Sequence, residues 1–285
     1  MAAAAGPTVR RRRLGAELRR LRERAGLTLA EAASHLDTSD STLSRIENGR
    51  GRVRRTDVQA MLDLYEVGEV NVRESLLQLT RDVRRKGWWQ NFRDVISEPY
   101  GDYISLEMDA ASQRLHTIEL VPGLLQTQQY TRSLAEAWLV WTTPEEIENF
   151  VTVRAQRQQV LDRDEPLELW AVMNEVALHQ MVGGREVMRD QLEHLLAAAR
   201  RPNLTIQVLP WAAGAHAVMD QPFVILGFAA PTDPDVVCLD HLTGTLYVER
   251  DDEVGRYTRI FDHLRSSALS PRDSMTVIAN RIKEL

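Results

Sequence analysis

The apolar and polar positions of residues 28–48 predict two short helices joined by a polar corner. Thr28 is a typical N-cap residue, and Glu31, three positions later, completes a capping box for the first helix. Ser39 is suited to cap the second helix. The apolar positions that recur at helical spacing are Ala32, Ala33, Leu36, Leu43 and Ile46. Because these positions share one side of each helix, the pattern predicts a packed helical pair.

The outward side of the second helix carries short polar side chains and one arginine. These residues are Asp40, Ser41, Thr42 and Arg45. Such side chains bind base edges in the major groove, where arginine makes bidentate contacts with guanine. Capping and apolar spacing are also compatible with a helical hairpin that only packs. The pattern alone therefore leaves two interpretations open.

The distribution of charge favours nucleic-acid binding over packing alone. Residues 1–86 contain 18 Lys and Arg against 12 Asp and Glu, whereas the remainder contains 17 basic and 29 acidic residues. The overall net charge of −6 hides this division. Because phosphate neutralisation drives nucleic-acid affinity, a basic segment that carries the helical pair is expected to be a DNA-binding module.

Three further helices are predicted around this pair, one before it and two after it. Asn71 with Glu74 is expected to cap the last of them. Their apolar positions are Leu14, Leu18, Leu21 and Ala25, then Val58, Met61, Leu62 and Tyr65, and finally Val72, Leu76 and Leu79. The arginines at 10–13 are either a solvated helix start or a flexible arm for phosphate or the minor groove. The predicted division is a disordered tail (1–9), a mainly α five-helix domain (10–80), a linker (81–87) and a second domain (88–285).

The segment from about Arg10 to Tyr65 resembles the helix-turn-helix of the XRE family, the Cro and lambda-repressor type. Residues 45–49, RIENG, match the family's ending of the second helix. In such folds the second helix enters the major groove and its early residues read bases. The resemblance therefore implies base reading by Asp40, Ser41, Thr42 and Arg45, and a structural ion pair between Arg22 and Glu47. We expect phosphate contacts from Arg19, Thr28, Ser39, Ser44, Asn48, Arg50 and Arg52.

Residues 88–285 alternate between strand-like and helical patterns, which predicts an α+β regulatory domain. Strand patterns occur at 167–173, 204–208, 223–228, 236–239 and 245–248. Helical patterns occur at 143–151, 188–199, 254–264 and 275–282. The run 223–228 is continuously apolar, which indicates a strand that is covered on both faces. The last two strand patterns flank a Thr-Gly corner and are expected to form a hairpin.

A second resemblance covers nearly all of residues 88–285. It rests on Trp88 with Trp89, PGLLQT at 122–127, Arg157 with Gln158, Glu175, Gln191 with Leu192, VLP at 208–210, Phe223 and ALSP at 268–271. In this order they resemble the C-terminal domain of WhiJ-like regulators, which are XRE-type actinobacterial proteins also described as antitoxin-like. The resemblance implies a small partner protein encoded by a neighbouring gene. Cys238 stands where this family more usually has tyrosine.

The sequence lacks the strongest enzyme signatures, namely a glycine-rich phosphate loop, an HExxH helix and a nucleophile elbow. A thiol centre of Cys238, Asp240 and His241 is disfavoured because successive strand residues point in alternating directions. Cys238 is instead expected to be a buried small hydrophobe. A metal site at His216 and Asp220 is disfavoured because glycine and proline nearby predict a loop. We therefore expect no enzymatic activity, no cofactor and no metal.

Several polar residues of the second domain lie within otherwise apolar segments. They are Glu107, Gln126, Arg157 and Glu175, and with Trp88 and Trp89 they are a possible effector or partner surface. The alternative is that each satisfies a buried backbone group or a salt bridge. The sequence leaves both readings open.

Location and membrane association follow from the composition of the chain. No apolar run approaches the roughly 20 residues that a bilayer requires. The small apolar residues at the start are not preceded by a positive region, unlike a signal peptide. The single cysteine excludes a disulfide framework. We therefore expect a cytoplasmic protein with no membrane partner.

The function that these patterns favour is a sequence-specific transcriptional regulator that binds double-stranded DNA. A homodimer is expected because two reading helices about 34 Å apart cover two half-sites and gain specificity. The acidic domain is expected to mediate dimerisation and to bind a small partner protein or effector. The alternative is an antitoxin-like protein that neutralises a neighbour-encoded small protein and autoregulates its promoter.

Overall fold

The structure, a computed structural model, describes residues 9–49, 51, 53–82, 87–138, 140–229, 234–241 and 244–285. The chain divides into two compact units, Met1–Trp88 and Trp89–Leu285. This division lies beside the domain boundary predicted at Gly87. The predicted fold class, a helical domain followed by an α+β domain, is confirmed. In the part that the structure describes, no helix is both long enough and apolar enough to cross a membrane.

The described part of the first unit consists of helices. They are α1 (Val9–Arg24), α2 (Leu29–His35), α3 (Asp40–Glu47), α4 (Arg55–Leu64) and α5 (Val70–Asp82). Their apolar sides form one buried core, which includes Leu18 of α1, Ala32 of α2, Leu43 of α3 and Leu62 of α4. The five helices predicted from apolar spacing are therefore all present.

A close crossing of α1 over the end of α3 fixes the position of α3 in this unit. Gly15 of α1 makes the crossing possible, because a Cβ atom there would lie 2.5 Å from the Ile46 carbonyl oxygen and 2.7 Å from the Glu47 carbonyl carbon. Gly26 and Gly49 follow the ends of α1 and α3 with φ values of +71° and +69°. Glycine adopts this left-handed conformation without strain, so both helices end where the sequence places these residues.

Two predictions about this unit are wrong, and one open alternative is decided. The arginines at 10–13 belong to α1, which begins at Val9, so of the two readings the helix start is supported and the flexible arm is not. The side chain of Arg13 is buried. Asn71 does not cap the fifth helix, because α5 already begins at Val70. Ala25 lies beyond the end of α1 and is exposed rather than part of its apolar side.

The second unit contains α-helices on a mixed sheet. The helices are α6 (Glu98–Asp109), α7 (Gln128–Ala137), α8 (Pro144–Gln158), α9 (Val176–His179), α10 (Gly184–Ala198), α11 (Asp251–Ser267) and α12 (Pro271–Glu284). The strands are β1 (Ser112–Thr117), β2 (Glu168–Asn174), β3 (Leu204–Leu209), β4 (Phe223–Gly227), β5 (Val236–His241) and β6 (Gly244–Val248). Short 3-10 helices occur at Trp88–Phe92, Gly123–Leu125, Gln159–Leu161 and Trp211–Ala213.

The described strands form one six-stranded sheet in the order β3-β2-β1-β4-β5-β6. The β1–β2 and β2–β3 pairs are parallel, whereas β1–β4, β4–β5 and β5–β6 are antiparallel. The predicted hairpin is therefore confirmed as β5–β6. Strand β4 lies inside the sheet, and four of its five residues are buried, as its continuous apolar run indicates.

Strand β1 lies in the middle of the sheet, yet its sequence, SQRLHT, has no apolar alternation. Its buried residues are Gln113, Leu115 and His116. Two of these three side chains are polar, so the pattern of the sequence gives no strand signal. Strand residues alternate between faces, and α11 packs on the face that carries Val172, Phe223 and Val237. The opposite face of β1 presents Gln113 and Leu115, and this face borders a cavity.

Candidate nucleic-acid interface

Side-chain caps define the start of both helices in the predicted pair. The Thr28 hydroxyl accepts a hydrogen bond from the Glu31 amide at 3.2 Å, and the Glu31 carboxylate accepts one from the Thr28 amide at 2.8 Å. The Ser39 hydroxyl accepts a hydrogen bond from the Thr42 amide at 3.2 Å. Between the helices, Asp37 adopts a left-handed φ of +49°, which Asp tolerates better than most residues. The predicted helix-turn-helix geometry thus follows from local capping.

The outward side of α3 is polar and open to solvent. Asp40, Ser41, Thr42 and Arg45 are all exposed, whereas Leu43 of the same helix is fully buried. Among the described residues, Arg45 has no acidic partner within ion-pair distance. Its guanidinium is therefore available to a ligand without first losing an intramolecular ion pair. The structure brings these four predicted residues together on one helix, and their base-reading role stays a prediction.

The residues predicted to contact phosphate are mostly engaged within the unit. The hydroxyls of Thr28 and Ser39 serve as helix caps. The Asn48 side-chain amide donates to the Ser44 carbonyl oxygen at 2.8 Å and lies 3.3 Å from the Ser44 hydroxyl. Arg19 donates to Glu23 at 2.8 Å in an exposed ion pair. Water and salt screen such a pair, so a phosphate can compete for this arginine. Arg50 and Arg52, also predicted for phosphate, lie outside the described residues.

A buried ion pair anchors the end of α3 to α1. Arg22 donates from Nε to Glu47 Oε1 at 2.7 Å and from Nη2 to Glu47 Oε2 at 2.9 Å. Its Nη1 donates to the Leu27 carbonyl oxygen at 2.7 Å, in the connection between α1 and α2. The hydrogen bond to Glu47 raises the pKa of Arg22. The predicted structural pair is confirmed, and it joins three segments of the unit through one guanidinium.

Two family models match the chain. The model described as "Domain of unknown function (DUF5753)" matches residues 100–280. The chain belongs to the DUF5753 family. The model described as "Helix-turn-helix domain" matches residues 13–75. No curated protein and no solved structure matches the chain. The DUF5753 protein is therefore a helix-turn-helix regulator, and its helix-turn-helix domain supports DNA binding.

Most polar residues predicted as an effector or partner surface of the DUF5753 protein satisfy buried groups instead. Glu107 and Arg157 form a buried bidentate ion pair with distances of 2.7 and 2.6 Å. Gln126 donates to the Val121 carbonyl oxygen at 2.8 Å. Glu175 accepts a hydrogen bond from the Trp211 amide at 2.8 Å. The structure thus supports the alternative for Glu107, Gln126 and Arg157, whereas Glu175 is half-buried and its bond to the Trp211 amide is exposed.

The tryptophan pair lies at the division between the two units. Trp88 and Trp89 are half-buried in a 3-10 helix, and they fall on either side of the division between the two units. Their part in an effector or partner surface stays a prediction. Arg157 borders a cavity of the second unit.

Sequence reasoning missed Arg154, which lines the same cavity as Arg157. Its guanidinium carbon lies 5.0 Å from the ring centroid of Phe150, which is a cation–π distance. Arg154 follows Phe150 by four positions and precedes Arg157 by three, so all three share one face of α8. This spacing was a signal in the sequence that a second arginine accompanies the predicted one into the domain.

Cys238 is buried, as expected, and burial raises the pKa of its thiol well above the ordinary value. A protonated thiol is a poor nucleophile. His216 and Asp220 lie in irregular structure between the 3-10 helix Trp211–Ala213 and β4, in agreement with the predicted loop. Over the described ranges, the DUF5753 protein has no group of three or more His, Cys, Asp or Glu arranged to hold a metal ion.

Proposed function

We propose that this protein is a sequence-specific, XRE-type transcriptional regulator that binds duplex DNA as a homodimer in the cytoplasm. The observation that carries the proposal is the solvent-exposed side of α3, where Arg45 has no ion-pair partner among the described residues. Helix capping and the Arg22–Glu47 pair hold this helix on its core, so its outward side chains are pre-organised for binding.

In this proposal α3 lies in the major groove, with Arg45 on a guanine. Asp40 is an acceptor that suits the amino group of cytosine, and Ser41 and Thr42 suit several base edges. The helix contains 8 residues. At about 1.5 Å per residue it spans about 12 Å, or three to four base pairs. One such helix selects a short site, which is why we propose that two copies bind paired half-sites.

The role proposed for the DUF5753 domain is binding rather than catalysis. The sequence after residue 86 contains 17 basic and 29 acidic residues, so this part of the chain is repelled by DNA. We propose that it mediates dimerisation and binds a small partner protein, which the WhiJ-like resemblance suggests is encoded by a neighbouring gene. A partner with a basic or amphipathic surface would suit the charge of the domain.

The test of base reading is DNA binding by an Arg45→Ala variant. Affinity for the selected operator should fall by about 1–3 kcal/mol, or about 5- to 150-fold, with relaxed preference at one base position. Arg189→Ala is the matched control, since it removes one exposed arginine from the other unit and changes net charge equally. Operators would first be selected from genomic fragments with the wild-type protein. If Arg45→Ala weakens operator and random duplex by the same factor, the base-reading role is wrong.

An antitoxin-like role is the second candidate, and the same WhiJ-like resemblance supports it. In that case the main function is neutralisation of the neighbour-encoded protein, and DNA binding only regulates the shared promoter. Deleting the gene of this protein with the neighbouring gene present and absent distinguishes the two. Loss of growth only in the presence of the neighbour supports the antitoxin, whereas altered transcription at distant promoters supports the regulator.

A further inference from the structure

The DUF5753 domain encloses a cavity of about 190 Å³ between the sheet and the helices α6 and α8. Its wall includes Tyr100 and Tyr103 of α6, Gln113 of β1, and Arg154 and Arg157 of α8. Pro222 and Asp240 also line it and are exposed, so the cavity reaches solvent. Sites for drug-sized ligands measure about 300–1,000 Å³. The volume therefore suits a smaller molecule.

The two arginines of the cavity wall differ in their electrostatic environment. Arg157 is neutralised by Glu107 and also donates to the Tyr100 hydroxyl at 2.6 Å. Arg154 forms no ion pair with any residue that the structure describes, and its Nε atom is buried without a hydrogen-bond partner. Burial lowers the pKa of Arg154, since it disfavours the charged form. Arg154 as a whole is half-buried. A partly buried guanidinium without an ion-pair partner is destabilising, and a bound anion would relieve that penalty.

Asp240, the acidic residue that lines the cavity, does not neutralise Arg154. Asp240 is exposed and accepts a hydrogen bond from the Thr245 hydroxyl at 2.7 Å. It is not within ion-pair distance of either arginine. Glu107 behind the wall balances Arg157, so the positive charge of Arg154 is left for a ligand with a single negative charge. A phosphate dianion would leave one negative charge unpaired in the cavity.

The cavity also presents polar atoms that lack partners in the described structure. Gln113 donates from Nε2 to the Tyr103 hydroxyl at 2.9 Å, whereas its Oε1 is buried without a partner. The Thr117 hydroxyl is likewise buried without a partner. Buried polar atoms are rarely left unsatisfied unless a ligand or water binds there. An unpartnered amide oxygen requires a donor, so the ligand should carry a hydroxyl group as well as its charge.

We propose that this cavity binds a small hydroxycarboxylate, whose carboxylate pairs with Arg154 and whose hydroxyl donates to Gln113. The segment PGLLQT contributes to the site, because a Cβ atom on Gly123 would collide with the Arg154 guanidinium. Glycine at this position therefore leaves room for the arginine head. The inference does not depend on DNA binding, since the ligand would bind within the second unit alone.

The test is thermal unfolding of the full-length protein in the presence of L-lactate, followed by tryptophan fluorescence. Five of the six tryptophans lie in residues 89–285, so the signal reports mainly on this unit. Above its Kd a ligand that binds only the folded state should raise Tm by about 3–6 °C for each tenfold increase in concentration. Lactamide, the neutral analogue, and sodium chloride at equal ionic strength should give no such dependence. Inorganic phosphate should bind more weakly than lactate.

Two arginine variants make the test specific. Arg154→Met should unfold at the same temperature as the wild type or higher without ligand, because it removes a partly buried charge that forms no ion pair with the described residues, and it should lose the response to lactate. Arg157→Met should unfold at a lower temperature, because it leaves Glu107 buried and unpaired. A third variant, Gly123→Ala, keeps the arginine but should displace its guanidinium and weaken the lactate response. An equal response in wild type and Arg154→Met, or no response of the wild type, overturns the proposal.

Discussion

Removal of Glu47 is the perturbation that most directly tests how α3 is held in place. The Arg22 and Glu47 side chains are 9% and 4% exposed, so water cannot replace the lost partner. A Glu47→Leu variant leaves Arg22 with its hydrogen bond to the Leu27 carbonyl oxygen and with the exposed Glu23, whose carboxylate oxygen lies 3.7 Å from Arg22 Nη2. Breaking a buried pair from one side destabilises a protein by about 3–5 kcal/mol. Two lost charge-assisted hydrogen bonds at about 1.5–3 kcal/mol each give a similar value.

The assay is hydrogen exchange of the full-length protein, resolved on peptides from α1 and α3. A loss of about 3–5 kcal/mol corresponds to exchange about two to three and a half powers of ten faster at the most protected amides. Domains of this kind have total stabilities of about 5–15 kcal/mol, so the first unit of Glu47→Leu would be only marginally stable. Peptides from the DUF5753 domain provide an internal reference.

Two further variants decide whether the buried pair is the cause. Arg19→Ala breaks the exposed pair with Glu23 on the same α1, leaves the acids near Arg22 in place and should change exchange little. The double variant Arg22→Met with Glu47→Leu replaces both charges by apolar groups and should recover most of the protection. The reasoning is refuted if Glu47→Leu is no more affected than Arg19→Ala, or if the double variant is as unstable as the single one.

The remaining predictions concern a helix crossing and a buried histidine. Gly15→Ala should destabilise the first unit by about 1–3 kcal/mol, because its Cβ would lie 2.5 Å from the Ile46 carbonyl oxygen. Gly255→Ala, also within a helix but with only Arg259 nearby at 3.7 Å, should stabilise the second unit by about 0.5–1 kcal/mol. Denaturant unfolding of each unit checks these opposite signs. Burial lowers the pKa of His116 from 6.5 to about 4, so the stability that its neutral form provides is present above pH 6.5 and is lost as pH falls toward 4. That loss amounts to about 3 kcal/mol, and a His116→Gln variant with the same pH profile as the wild type would contradict it.

Local interactions explain why the sequence predicted the first unit well. The caps at Thr28 and Ser39 and the apolar spacing of α2 and α3 involve residues three or four positions apart. Such interactions can be read without knowledge of the rest of the fold. The error at Asn71 has the same origin, because cap signals in a sequence locate a helix start only to within a few residues. The resemblance to XRE regulators additionally identified the long-range Arg22–Glu47 pair, which spacing alone does not predict.

The second unit shows which features depend on tertiary structure. Strands with apolar alternation, such as β2, and the β5–β6 hairpin were predicted from sequence. Strand β1 was missed because two of its buried residues, Gln113 and His116, are polar. They are buried because β1 lies between β2 and β4 in the sheet. Burial of a polar side chain is a property of the packed fold and leaves no apolar periodicity in the sequence.

The sequence by itself thus determined the five helices of the first unit with its helix-turn-helix, five of the six described strands and the division of charge between the two units, since each depends on nearby residues or on composition. Only the tertiary structure decided which arginine is neutralised. Arg154 and Arg157 are similar in sequence, three positions apart on α8. The packing of α6 places Glu107 against Arg157 and leaves Arg154 at the cavity without an ion-pair partner among the described residues. That difference arises because ion pairing in a folded domain depends on distances between segments far apart in the chain.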